Sequence, residues 1–394
     1  LTTYDLAIVG GGMVGASLAL LCARANPSWR IAVIDPHPAE VGDVSARPSF
    51  DARATALSAG SASYLNNLGV WQSLNAVAAP IEQVHISDKG YLPGQRICAG
   101  DYAMPALGYV VPNQPLGAVF ISAMATQSGI ESLVDSVEQL TVTAKAAEAR
   151  LASGANISAK LIAICDGADS PLCKALGIGH RKRHYQQRAV IANVRVSKPH
   201  GNTAFERFTD EGPLALLPLQ NSRELALVWT QPILEPDRSG RPDTDFLQQL
   251  QQRFGHRLGR FEAVSERFSY PLQLSEVDEP WRSRLVVMGN AAHSLHPVAG
   301  QGFNLSLRDC GVLADCLKGV TDPGALECLK NYGRLRQQDQ TLTTELSHAM
   351  VKLFSSRRAS LVSARHLGLL GLELFAPLKQ AFSRQMMGGH SGAA

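Results

Sequence analysis

Hydrophobic residues gather first at Tyr4-Asp5-Leu6-Ala7-Ile8-Val9, a short β-branched and aliphatic run that ends in glycines. Apolar positions then recur at helical spacing from Met13 to Ala25, until Asn26-Pro27 stops the pattern. Trp29-Arg30-Ile31-Ala32-Val33-Ile34 follows as a second buried run and ends at Asp35. This order predicts strand, tight turn, helix and strand: a βαβ unit. Ala159 to Cys165 predicts another buried strand, which runs into Asp166-Gly167-Ala168-Asp169-Ser170 and a short helix near Pro171. Arg284 to Met288 predicts a further strand that enters Gly289-Asn290-Ala291-Ala292-His293-Ser294-Leu295-His296-Pro297-Val298-Ala299-Gly300-Gln301-Gly302-Phe303-Asn304, with a helix from about Phe303. Between these halves, short segments at 189–196, 214–218 and 225–229 predict β-structure, and from about Leu326 the chain reads as helical.

The first turn, Gly10-Gly11-Gly12-Met13-Val14-Gly15, fits G-x-G-x-x-G at Gly10, Gly12 and Gly15. Gly10 permits the tight turn, Gly12 lets the backbone approach a pyrophosphate, and Gly15 lets helix and strand pack closely. The helix N-terminus then faces the phosphates. Asp35, twenty residues beyond Gly15, stands where a carboxylate accepts hydrogen bonds from an adenosine ribose. The unit predicts a dinucleotide site without separating FAD from NAD. Gly300 and Gly302 open a second helix whose N–H groups and positive dipole end suit an anion, such as the N1–O2 edge of a reduced flavin. A plain NAD dehydrogenase has no use for one there.

Composition narrows the classes. The chain has 394 residues, 45% apolar and 18% charged, and a net charge of +3. That length gives two or three domains or one large α/β unit with an insertion, and the small charge argues against a nucleic-acid partner. The longest strongly apolar tract, Leu367 to Leu378, has 12 residues and includes Glu373, short of the roughly 20 that a span needs. With a strand pattern starting at Tyr4 and no secretory signal read before it, the expectation is a cytoplasmic protein. Seven scattered cysteines without a C-x-x-C pair read as small apolar side chains in a reducing compartment.

The set Gly10 to Gly15, Asp35, Asp166-Gly167 and Gly289-Asn290 through Asn304 resembles the single-component FAD-dependent aromatic hydroxylases. Within them, Phe50-Asp51-Ala52-Arg53-Ala54-Thr55-Ala56-Leu57, Val84 to Gly90, Ala204-Phe205-Glu206-Arg207-Phe208-Thr209, Gly212 to Leu219 and Leu372-Glu373-Leu374-Phe375 resemble the hydroxylases that act on polyprenylated methoxyphenols in ubiquinone synthesis. The resemblance implies a mixed α/β fold: a Rossmann-like, discontinuous FAD-binding domain (1–75, 100–180, 281–325), an inserted β-sheet substrate domain (76–99, 181–280) and a helical C-terminal region (326–394). It implies FAD as cofactor, NAD(P)H as reductant, and transfer of one oxygen atom of O₂ to a phenolic ring while the other leaves as water.

Residue by residue, the resemblance implies that Asp35 binds the ribose, Arg53 contacts the cofactor, Gln114 lies near the ribityl chain, and Asp166 with Gly167 belongs to the FAD site and to use of the nicotinamide cofactor. Pro297, Ala299, Gly300, Gln301, Gly302 and Asn304 match the loop and helix start beside the flavin ring, with Pro297, Gly300 and Gly302 nearest the chemistry. The wider class has Gly-Asp where this chain has Gly289-Asn290. Asn290 keeps an acceptor oxygen but no charge, and charge-assisted hydrogen bonds are roughly twice as strong as neutral ones, so weaker FAD retention is expected. The ubiquinone hydroxylases also tend to have Asn there.

Other residues leave alternatives open. His293 and His296 lack a third nearby ligand, so no metal site is assigned; they read as structural hydrogen bonding or as a flavin-edge or substrate contact. His180-Arg181-Lys182-Arg183-His184 reads as a solvated loop, with nucleotide phosphates or an anionic membrane as the rival. Glu206 and Arg207 read as surface ion pairing. The stretch from Val362 to Leu378 reads as a helix packed on the flavin domain or as a face that meets a membrane or a protein of a biosynthetic complex.

Overall fold

A computed structural model of the chain describes residues 2–38, 51, 53–88, 94–295 and 300–354. Its first layer is a sheet in which Leu285–Val287, Asn156–Ile164, Thr2–Val9, Ile31–Asp35 and Ile130–Val134 run parallel in that order. Trp281–Arg282 adds an antiparallel edge strand. Val137–Val142 and Ala147–Leu151 pair as a hairpin onto Asn156–Ile164. Strands covered on both faces read as continuous apolar runs, and Leu6, Ala7 and Ile8 are all fully buried. Burying each such Leu or Ile is worth about 1.5–3 kcal/mol.

The helices Met13–Ala25, Asn113–Thr126 and Gln301–Leu317 share one core cluster with the sheet, through Leu18, Phe120 and Leu313. Leu326–Phe354 packs on Gln301–Leu317. The helical expectation from Leu326 is met as far as Phe354; the later apolar tract lies outside the described residues.

The second layer is a nine-stranded sheet, in order His293–Ser294, Phe268–Val277, His180–Val196, Glu224–Pro232, Gly212–Pro218, Thr203–Thr209, Gln83–Asp88 and Gln95–Cys98, with Phe261–Val264 paired to His180–Val196. One face buries Val190, Phe205, Leu216 and Trp229 against the helix Asp243–Phe254 through Phe246 and Leu250. The other face turns toward a small sheet of Ala54–Ser58, Gly108–Pro112 and Ala79–Ile81, where Ala204 and Leu217 pack with Val110 and Ile81. The basic run His180 to His184 is not a loop. It opens a 17-residue strand and pairs with Gln273 to Val277. Lys182 pairs with Asp169, and Arg181 with Asp278 at 3.0 Å; both are exposed, so they contribute little stability.

Candidate active site

Three parallel strands end side by side. The Cys165 N–H donates to the Val9 carbonyl at 2.7 Å, and the Met288 N–H to the Ile164 carbonyl at 2.9 Å. Gly10, Asp166 and Gly289 therefore begin adjacent turns at the carboxyl edge of the sheet, the edge where open α/β sheets bind ligands. Gly10 has φ +101°, and a Cβ there would stand 2.5 Å from the Cys165 carbonyl oxygen. A Cβ on Gly15 would collide with the Gly10 carbonyl. Gly12 precedes the helix Met13–Ala25, which has neither a side-chain cap nor an acid in its first turn. Its positive end is left for a phosphate.

Asp35 fixes this turn. Its Oδ2 accepts from the Gly11 N–H at 2.7 Å and its Oδ1 from the His37 N–H at 3.0 Å. The His37 ring Nδ1 also lies 3.1 Å from Oδ1, while Oδ2 keeps a second lone pair that can still take a ribose hydroxyl. On the neighbouring strand end Asp166 Oδ2 accepts from the Ser170 hydroxyl at 2.7 Å, whereas Oδ1 is shut off from solvent with no partner among the described residues. Burial pushes the Asp166 carboxyl up, and the Ser170 hydrogen bond opposes the rise. Gly167 follows at φ +97°, and Asn290 is exposed on the turn Gly289–Ala291.

Farther along, Arg53 is held by Asp51 and stacks over the Tyr270 ring at 5.2 Å from its centroid. Asn113 Nδ2 donates to Asp51 Oδ1 at 3.1 Å, and the Thr55 hydroxyl donates to Asn113 Oδ1 at 2.7 Å. Gln114 is exposed in the first turn of Asn113–Thr126. Sequence reasoning named Arg53 and Gln114 but missed Asp51 and Asn113, the groups that hold Arg53. A signal for them was present only as an Asp-x-Arg segment; the partner lies 62 residues away.

The helix Gln301–Leu317 starts from Gly300 at φ +62°, again without a side-chain cap or an early acid. A Cβ on Gly300 would stand 3.0 Å from the Ala56 Cβ, while Gly302 opens on free space. Asn304 is buried and committed to backbone: Oδ1 accepts from the Ser58 N–H at 2.8 Å, and Nδ2 donates to the Ala56 and Gly300 carbonyls at 2.9 and 2.6 Å. It therefore positions the helix start, and a cofactor contact from its amide would require one of these bonds to be shared. Pro297 and Ala299 lie outside the described residues, as does His296.

Behind that helix a buried network was invisible in sequence. His293 Nε2 donates to Asp309 Oδ2 at 2.6 Å, and Asp309 Oδ1 accepts from Arg336 Nε at 2.5 Å and Gln340 Nε2 at 2.9 Å. Burial alone would raise the Asp309 carboxyl, but the His293 hydrogen bond and the positive charge of Arg336 outweigh it and hold the group below its ordinary value. His293 thus has a structural hydrogen bond, and among the described residues no cluster of three metal-ligating side chains occurs. Glu206 shows the opposite pattern. No described residue pairs with it, its Oε1 is sealed from solvent and unbonded, and burial pushes its carboxyl up to about 7. The expectation of a surface ion pair at Glu206 is therefore wrong, because its strand lies between two packed layers.

The residues fit FAD. Asp166 Oδ1 lacks a partner that a cofactor hydroxyl would supply, the turn at Gly10 and Gly15 admits no Cβ, and Gly302 leaves open space at a helix start. Gly10, Gly12, Gly15 and Asp35 would hold the adenosine and pyrophosphate, Asp166, Asn290 and Arg53 the middle, and Gly300 to Gly302 the ring edge. These features define a flavin-dependent enzyme of the two-layer α/β class.

A family model described as an FAD binding domain matches residues 3–346. The chain belongs to this family of FAD-binding monooxygenases. It is 34% identical to ubiquinone hydroxylase UbiL of Rhodospirillum rubrum over 98% of this chain and 89% of that one. It is 30% identical to 3-demethoxyubiquinol 3-hydroxylase of Escherichia coli over 98% of both chains, and 27% identical to human ubiquinone biosynthesis monooxygenase COQ6 over 96% of this chain and 91% of that one. Among solved structures, p-nitrophenol 4-monooxygenase PnpA of Pseudomonas putida matches over the whole of both chains with a TM-score of 0.80 at 18% identity. HpxO of Klebsiella pneumoniae, complexed with FAD, matches over the whole of both chains with a TM-score of 0.77 at 14% identity. These two likenesses concern the fold.

Proposed function

We propose that this chain is an FAD-dependent monooxygenase that uses NAD(P)H and O₂ to hydroxylate the ring of a polyprenylated (methoxy)phenol in ubiquinone biosynthesis. The observation that carries the reading is the pair of uncapped helix starts, at Gly12 and Gly300, on two helices that pack against each other, in a chain similar over nearly its whole length to ubiquinone hydroxylases. The first suits a pyrophosphate. The second suits the charge that a reduced flavin carries at its ring edge, and preorganised N–H donors stabilise such charge without rearranging. FAD, when bound, supplies the activation of O₂; the chain's own groups bind, orient and move protons.

Gly10, Gly12, Gly15, Asp35, Arg53, Asp166, Gly167, Asn290, Gly300, Gln301 and Gly302 are the proposed cofactor residues, with Gln114, Ala299 and Asn304 more peripheral and Pro297 beside the ring. The substrate lies between the flavin and the inner face of the nine-stranded sheet. Its prenyl tail is lipid-soluble, so the proposal places the protein in the cytoplasm against the membrane surface or within a biosynthetic complex, with its C-terminal region as the contact. No helix among the described residues is long and apolar enough to cross a membrane. Deleting the gene tests the pathway: the strain should accumulate a polyprenylated phenol lacking one ring hydroxyl, and that intermediate identifies the carbon attacked. Normal ubiquinone with no such intermediate would remove the pathway assignment.

A further inference from the structure

Glu206 sits in the middle of Thr203–Thr209, opposite Ala215 on one side and Ile86 on the other. Directly paired residues share a sheet face, so Val228, which pairs with Ala215, extends the same face. Two residues along from Val228 is Thr230, then its partner Ala189, and then Tyr270. Tyr270 is the ring under Arg53, which belongs to the cofactor side. Glu206 therefore lies on the face that closes over the flavin domain, not the face covered by Asp243–Phe254.

A second path gives the same placement. Ala204, two residues before Glu206 and on the same face, packs with Val110. Val110 pairs with Ala56, the residue against which Gly300 is fitted. The surroundings are apolar: Ile86, Ala204, Ala215, Val228 and Phe208. Other titratable or charged groups that share this side are Asp88, one step along from Ile86 and paired in register with Phe208, Tyr102 beside Phe208, and Tyr270 with Arg53 across the sheet. None forms a hydrogen bond with Glu206, and burial is the sole cause of its shift. The side chain is half-buried, with Oε1 sealed from solvent and unbonded; a carboxyl oxygen cut off from water without a donor is costly, and the cost disappears when a ligand brings the missing donor.

We propose that Glu206 receives the ring hydroxyl of the phenolic substrate, accepting its hydrogen bond and taking its proton as the ring is attacked. The inference rests on the hydroxylase reading above. In this step the phenolic O–H bond breaks and a new O–H bond forms on the Glu206 carboxylate. The electron pair stays on the phenolic oxygen, where it pushes into the ring and makes the ring carbon more nucleophilic. No electron leaves the substrate in the transfer. When the ring carbon later gives its own proton to solvent water and aromaticity returns, the Glu206 proton goes back to the phenolic oxygen, and the carboxylate is ready again. A base with a value near the working pH is suited to this task.

The test uses the FAD-loaded full chain, NAD(P)H, ¹⁸O₂ and a 2-methoxyphenol with one short prenyl unit, comparing wild type with Glu206→Gln at matched FAD content. The amide keeps the shape and can still hydrogen-bond but cannot take the proton. Wild-type kcat/KM for hydroxylation should rise with pH through about 7. The variant should lose that limb and fall by roughly 10²–10⁴-fold, the usual contribution of a general base. In wild type, the methyl ether of the phenol should bind at least about tenfold more weakly than the phenol, since it cannot donate to Glu206; this holds even if the variant does not fold. Labelled product from wild type with an equal rate and pH profile in Glu206→Gln overturns the role of Glu206 alone. Equal binding of phenol and methyl ether does the same. No labelled product from wild type overturns the hydroxylase reading and this role with it.

Discussion

Asp309 and Glu206 are both acids set into the fold, the first fully buried and the second half-buried with its Oε1 sealed from solvent, and they are arranged in opposite ways. Asp309, 1% exposed, accepts from His293, Arg336 and Gln340 and is held below its ordinary value. Glu206 has no partner among the described residues, and burial drives it up to about 7. The first carboxylate ties the helix Gln301–Leu317 to Leu326–Phe354 and to the turn at His293, so it fixes the helix whose start is proposed to meet the flavin ring. The second is left for something outside the chain. Burial alone therefore does not identify a functional acid; the informative quantity is burial less the partners supplied by the fold.

The sharpest way to break the contrast is to remove a partner from Asp309. Arg336→Leu leaves a buried carboxylate undercompensated and should cost about 3–5 kcal/mol of stability, read as a lower unfolding midpoint of the FAD-loaded protein. A loss within about 0.5 kcal/mol would mean that the network holds nothing together. Next in size is the cofactor end. Gly12→Val places a side chain where the pyrophosphate approaches, and overpacking of about 1–3 kcal/mol should lower FAD affinity roughly 5- to 150-fold. Flavin absorbance after purification measures it, and full FAD occupancy in a folded Gly12→Val protein would make the glycine fingerprint a coincidence.

The smallest effect has the opposite sign. Glu206→Leu removes a half-buried carboxyl whose sealed Oε1 has no partner among the described residues, and should stabilise the protein by about 1–2 kcal/mol while abolishing productive handling of the phenol. The gain should depend on pH. Because the folded value of Glu206, about 7, lies above its ordinary 4.5, the folded state binds more protons than the unfolded one between those values, so wild-type stability falls as pH rises through that window. The advantage of Glu206→Leu should therefore grow from pH 4.5 to about 7 and then level off. Denaturant unfolding at several pH values measures it, and a pH-independent difference would show that the side chain finds a partner in solution.

The strand–turn–helix unit proposed for the cofactor was legible in sequence because its determinants are local. A strand, three glycines, a helix and a terminal acid lie within thirty-five residues, and Gly10, Gly15 and Asp35 meet in space nearly as they stand in the chain. Asp309 and Arg336 are 27 residues apart on different helices, and no short pattern announces that they meet. His180 to His184 read as a loop because charged residues mask the alternation of a strand whose outer end is exposed. Glu206 read as a surface acid because period-two alternation places it opposite Phe205, on what would be a wet face of a lone sheet. Only the small sheet packed against that face makes it partly interior.

The most direct measurement of the central claim follows the oxygen atom. FAD-loaded protein is given ¹⁸O₂, NAD(P)H and a soluble short-prenyl methoxyphenol, and the product is weighed by mass spectrometry beside a control for exchange with water. The account expects a ring-hydroxylated product carrying one ¹⁸O. An oxidised product with no ¹⁸O would contradict it and leave a flavin dehydrogenase in its place.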